Sequence, residues 1–163
     1  MFKSSIAIAA LAATFATPLL AEDLIPVSMV GNWAVLIDPN RGKGCLTQVS
    51  LSDGSTLRLG FDKPGSGKGY ISSFNPAWAQ FEKGEPYDVT LVFGETTFVG
   101  KGRGEMLGDM PGVVVEANNL DLLTNIANAE SVHLSAGGPG FDVALTGSHD
   151  ALLAALECQA AQM

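Results

Sequence analysis

Apolar and polar residues alternate with a period of two over several short stretches of this chain, and each stretch is closed by glycine, proline, asparagine or aspartate. That pattern predicts β-strands joined by tight turns. Trp33–Ile37 reads as a first strand, and P-N-R-G-K-G at Pro39–Gly44 as the turn after it. Cys45–Leu51 and Thr56–Phe61 then alternate around the S-D-G-S turn at Ser52–Ser55, predicting a hairpin. Tyr70–Phe74 reads as the next strand, following the glycine-rich loop D-K-P-G-S-G-K-G. The clearest hairpin joins Tyr87, Val89, Leu91 and Phe93 through Gly94-Glu95 to Thr96–Gly100. Lys101–Gly112 reads as a glycine-rich loop and Val113–Glu116 as an apolar strand, while Val132–Leu134 and Phe141–Leu145 frame A-G-G-P-G as a last hairpin.

Three segments change to a helical period. Asn75-Pro76 has the form of an N-cap with proline at the first helical position, and Trp78 and Phe81 fall on one face before Gly84, predicting a short central helix. Leu120, Leu123, Ile126 and Ala127 predict a second helix. In the third, Ser148 is placed as N-cap with Asp150 in the first turn, and Leu152, Ala155, Leu156 and Cys158 lie along the following turns. Strands dominate and no regular βαβ alternation occurs. The expected fold is α+β, mostly antiparallel and sandwich-like, with three helices.

The N-terminus obeys a different logic. Lys3 supplies a positive start, Ile6–Phe15 an apolar run, and Pro18–Ala21 a stretch ending in a small residue, so residues 1–21 are expected to be a secretory signal peptide. Cleavage is placed after Ala21, with Ala16 as the lesser alternative, and the apolar run is shorter than the ~20 residues a membrane span needs. Residues 22–163 then form one compact domain, within the usual size of a single unit. The expected location is the periplasm, with the cell surface or medium as alternatives.

Composition narrows the chemistry. The net charge is −8, and loss of Lys3 makes the mature chain more acidic still, which excludes nucleic acid as the expected partner. Cys45 and Cys158 are the two thiols, and export favours a structural disulfide between them over a redox or metal pair, because no C-x-x-C occurs. Such a bridge would fasten the last helix to an early strand.

Catalytic motifs are absent. Ser148 with His133 or His149 and Asp142 or Asp150 makes a triad only on paper, since no G-x-S-x-G surrounds the serine. Two histidines do not complete a zinc set, and no cofactor motif is present. Glu82, Glu85, Asp88, Glu95 and Glu105 offer carboxylates for a small cell-envelope hydrolase if two of them share a cleft. The tripeptide G-K-G recurs at Gly42–Gly44, Gly67–Gly69 and Gly100–Gly102, each in an expected loop. Lys43, Lys68, Lys101 and Arg103 are therefore candidates for one basic surface, with Trp78 and Tyr87 as candidate pocket aromatics. The expected function is a non-enzymatic interaction module for an envelope protein, glycan or small ligand.

W-A-V-L-I-D, S-F-N-P-A-W followed by E-K-G-E-P-Y-D-V-T-L-V-F, and the closing L-T-G-S-H-D-A-L-L-A-A-L-E-C carry a resemblance. Together they resemble small exported proteobacterial proteins of unassigned function, distantly similar to the invasion-associated locus B family. The resemblance spans most of the mature chain through these short pieces. It implies a periplasmic or surface-associated β-sandwich-like domain without a catalytic centre. The placement of one of just two cysteines in the last helix departs from the family pattern.

Overall fold

The computed structural model describes residues 24–163. The expected signal peptide at residues 1–21 lies outside the described residues. Ten strands are formed: β1 (Ile25–Val30), β2 (Trp33–Asp38), β3 (Gly44–Ser50), β4 (Thr56–Phe61), β5 (Gly69–Phe74), β6 (Pro86–Phe93), β7 (Thr96–Leu107), β8 (Met110–Ala117), β9 (Ser131–Ser135) and β10 (Phe141–Ala144). Two α-helices accompany them among the described residues, α1 (Asp121–Ala127) and α2 (Ser148–Ala161). All strands belong to one antiparallel sheet, in the order β1-β2-β3-β4-β5-β8-β7-β6-β9-β10.

The expected hairpins form. Ser50 pairs with Thr56 across the S-D-G-S turn, Phe93 with Thr96 across Gly94-Glu95, and Phe141 with Leu134 in the last hairpin. Gly94 takes φ +56°, a left-handed conformation that glycine adopts without steric cost. The sandwich-like expectation is corrected in one respect: there is one continuous sheet, curled until its ends approach. The indole Nε1 of Trp33 in β2 donates to the carbonyl of Thr146, just beyond β10, at 3.0 Å. Inner-face residues from both halves of the sheet, including Trp33, Leu59, Leu91 and Val143, share one core, and α1 and α2 add Leu123, Ile126, Ala151 and Leu152 to it.

Four local expectations are corrected. First, β1 precedes the strand expected to be first. Its alternation is broken because the register slips between Pro26 and Ser28, leaving Val27 as a bulge at the sheet edge. Second, Lys101–Leu107 continues β7 instead of looping. Gly102 lies so close to Val113 and Val89, and Gly104 to the backbone of Glu82, that any side chain there would collide with them. These glycines serve close strand packing, a use that composition does not distinguish from a loop.

Third, the central helix at 75–84 is a run of turns. Trp78 N–H bonds to the carbonyl of Asn75 and Phe81 N–H to that of Trp78, each three residues back, at 3.0 and 3.1 Å. Asn75 does cap locally, accepting from the Ala77 N–H at 2.8 Å. Burial of Trp78 and Phe81, edge to face with centroids 4.9 Å apart, governs the path instead of a helical ladder. Fourth, Gly147 with φ +82° occupies the N-cap position of α2, and Ser148 is the first helical residue. The Ser148 hydroxyl is buried, 2.7 Å from the Leu145 carbonyl and 2.8 Å from that of Ala127. It joins the two helices through α1's last residue.

The Cys45–Cys158 disulfide forms, with Cα atoms 6.0 Å apart. It fastens α2 to the start of β3, as the export signal and the even number of cysteines led us to expect.

Candidate functional site

The face of β2–β5 and β8 turned away from the core carries a second layer. Leu36, Leu46, Tyr70, Phe74 and Val114 are buried there, outside the main core. Strand pairing explains the arrangement, because Leu46, Gly60, Tyr70 and Glu116 form one cross-strand row and Gln48, Arg58, Ser72 and Val114 the next. Gly60 has no side chain because the Tyr70 ring lies directly over it. The Arg41 guanidinium sits above the same ring, 3.9 Å from its centroid.

Arg41 comes from the single 3₁₀ turn Pro39–Arg41, where the Asp38 carboxylate accepts from the Asn40 N–H. Its guanidinium meets Asp62 at 3.3 Å, Glu116 at 3.1 Å and Glu105 at 3.7 Å. Burial works against its charge, while Tyr70, Glu116 and Glu105 favour it, and the balance holds its pKa above the ordinary arginine value. Arg58 shows the opposite outcome. Its Nε donates to Gln48 at 2.7 Å and its fork lies 5.4 Å from the Phe74 ring centroid, but burial outweighs its more distant carboxylates and lowers its pKa. The Tyr70 phenol is pushed far up, chiefly by burial.

A folded-state pKa raised above the unfolded value near 10 means that the neutral phenol stabilises the fold fully below that pH. The contribution is lost as pH rises beyond it. We expect a spectrophotometric titration to show Tyr70 un-ionised through the ordinary tyrosine range while the fold persists, with the Tyr70→Phe variant removing only absorbance that appears on unfolding. Ordinary titration of Tyr70 in the native protein would refute this burial.

Beside Arg41 opens a cleft of about 420 Å³, lined by Arg41, Gly42, Asp62, Lys63, Ser66 and Lys68. Its walls are the β2–β3 and β4–β5 loops, which lie at the same end of the sheet because alternate turns of a meander do so. Gly42 packs against the Lys63 side-chain root, and Lys43 beside it holds φ +66°, the one non-glycine residue with positive φ among the described residues.

Helix α2 clamps the roots of both loops. Cys45, at the end of the first, is bonded to Cys158, and the neighbouring Gln159 accepts from the Cys45 N–H at 2.7 Å. The same amide donates to the Asp62 carbonyl at 2.8 Å, where the second loop begins.

The structure thus brings the loops of Lys43 and Lys68 together and leaves the other candidates elsewhere. Lys101 lies within β7 and pairs with Asp88, so the third G-K-G is not in a loop. Arg103 donates to the Gly84 carbonyl at 3.1 Å. The Tyr87 hydroxyl accepts from Glu82 N–H at 2.8 Å and lies 3.2 Å from the Gln80 carbonyl, fixing the turn before β6. Trp78 is buried and borders a smaller hollow of about 180 Å³ with Gln80 and Phe141. Arg41, Lys63, Ser66 and Gln159 escaped the sequence reading. The signal for the first three was the meander itself, which places two loops separated by the β3–β4 hairpin side by side.

Of the carboxylates considered for hydrolysis, Asp88 pairs with Lys101, and Glu82 and Glu85 lie on the turn that packs against Gly104. Glu105 alone among them joins Asp62 and Glu116, and all three face the Arg41 guanidinium. His133 Nδ1 and Asp142 are cross-strand partners 3.0 Å apart, while the Ser148 hydroxyl is buried against two carbonyls. Among the described residues no group of three His, Cys, Asp or Glu side chains is placed to hold a metal ion.

With the curled sheet and its clamped helix established, the comparison with solved structures is informative. The fold is like that of invasion associated protein B from Bartonella henselae. The TM-score is 0.58 at 14% identity, over 82% of this chain and 97% of that one. At this identity the likeness to invasion associated protein B is one of fold, and it supports the distant similarity carried by the short sequence pieces. No protein-family model matches the chain, and no curated protein matches it.

Proposed function

We propose that this chain is an exported, non-catalytic binding domain of the periplasm, with the cleft between the β2–β3 and β4–β5 loops as its ligand site. The observation that carries this reading is a cleft of about 420 Å³, a size suited to a small ligand or a glycan end, whose two walls are anchored to the same helix. Anchoring of this kind lowers the ordering cost of binding. The disulfide suits an oxidising compartment, and no described helix is long and apolar enough to cross a membrane. The leader-like N-terminus supports export. Glu105 is committed to Arg41 and Asp88 to Lys101, which weighs against the hydrolase alternative.

The test is an amide-resolved NMR screen of the oxidised protein against a panel of small envelope metabolites and glycan fragments, neutral and charged. Perturbations clustered at Gly42, Lys43 and Lys63–Lys68 are expected. A panel that moves no amide of these loops, or moves only distant ones, would overturn the reading.

A further inference from the structure

The geometry points to a phosphate ester as the group this cleft takes, with Lys63 and Lys68 as its charge partners and Ser66 as a hydroxyl donor. This rests on the binding reading of the same cleft and narrows its ligand class.

The first argument is charge. The chain carries −8 net, yet four of its nine Lys and Arg residues, Arg41, Lys43, Lys63 and Lys68, lie in the two loops that wall the cleft. Asp62, Glu105 and Glu116 offset part of that charge at Arg41, which leaves the positive charge of the cleft walls with the lysines. The second argument concerns which cations are free to act. Arg41 already faces Asp62, Glu105 and Glu116, so its fork is occupied and its part is to hold Asp62 and the first loop in place. Lys63 and Lys68 have no carboxylate partner among the described residues, although both line the cleft.

The third argument is shape. A carboxylate is best matched by a planar guanidinium fork, and here that fork is taken. Ammonium groups act as compact point charges that suit a tetrahedral anion from any side. Gly65 and Gly67 hold φ of +77° and +67°, which brings the loop bearing Ser66 back on itself between the two lysines. The volume of about 420 Å³ accommodates a phosphate with a small organic body attached.

Two sources could present this chemistry, a free sugar or glycerol phosphate and the headgroup of a phospholipid. The experiment titrates the oxidised protein with sn-glycerol 3-phosphate, with glycerol, with galacturonate, and with phosphatidylglycerol vesicles, reading loop amides and affinity. We expect glycerol 3-phosphate or the vesicles to bind at the cleft, the first identifying a free ligand and the second a headgroup. Lys63→Gln with Lys68→Gln should weaken that binding at least tenfold, and added salt should weaken it further. Lys101→Gln, whose ammonium pairs with Asp88 and does not line the cleft, should leave it unchanged. Equal binding of glycerol, preference for galacturonate, or indifference to the lysine pair would overturn the phosphate assignment while leaving a binding cleft. Silence of the cleft toward every ligand, including the wider panel, would remove both.

Discussion

Replacing Cys45 and Cys158 together with alanine is expected to lower the melting temperature by roughly 10–20 °C, the equivalent of about 4–5 kcal/mol for a loop of this size. The bridge joins residues 113 apart in sequence, so its loss releases most of the chain in the unfolded state. Both positions are buried and small side chains fit them, which keeps the substitution from adding new strain. The consequence should be uneven across the fold. Because α2 holds both loop roots, exchange protection should fall first at Gly44–Leu46 and around Asp62. Gln159→Ala provides the comparison: it leaves the covalent link but strips partners from the Cys45 N–H and the Asp62 carbonyl, costing about 1–3 kcal/mol. Differential scanning calorimetry and hydrogen exchange check both. An unchanged melting temperature in the double alanine variant would show that the bridge contributes no stability.

Trp33→Ala is expected to cost about 3–5 kcal/mol in equilibrium denaturation. The indole is 1% exposed, packs into the inner core from β2, and bonds to the Thr146 carbonyl beyond β10. It thereby joins the two ends of the curled sheet near the start of α2. Trp33→Phe separates the contributions, since it retains much of the packing and removes one hydrogen bond worth about 1 kcal/mol. A loss below 1 kcal/mol for the alanine variant would mean that the sheet ends are held by something other than this residue.

Strand pairing was largely legible because a strand buried on one face must alternate, as Tyr87–Phe93 does, and because Asp-Gly and Gly-Glu turns announce the reversals. Glycines defeated the reading of β7, since Gly102 and Gly104 are required by close neighbours that no local pattern reveals. The cap and proline at Asn75-Pro76 were read correctly as a local turn signal, but tertiary burial of Trp78 and Phe81 decided what followed. Ser148 looked like a cap because serine so often is one, while Gly147 already supplied the needed backbone geometry. The disulfide could be inferred because only two cysteines exist. The cleft could not, because its charge depends on two loops meeting, and Arg41 acquires its role only from Tyr70 beneath it and the carboxylates around it. Of the residues singled out beforehand, Lys43 and Lys68 belong to the loops that meet.

The bridge also sets a path for mechanical load. Tension applied between the two ends of the chain enters β1 and β2, reaches Cys45 and leaves through Cys158, bypassing residues 46–157 between them. Only the first two strands and the last residues of α2 can be drawn out while the bond is intact. Pulled from its termini, the protein would peel at one edge and then stop, with β4 to β10 and the cleft's second wall carrying no force.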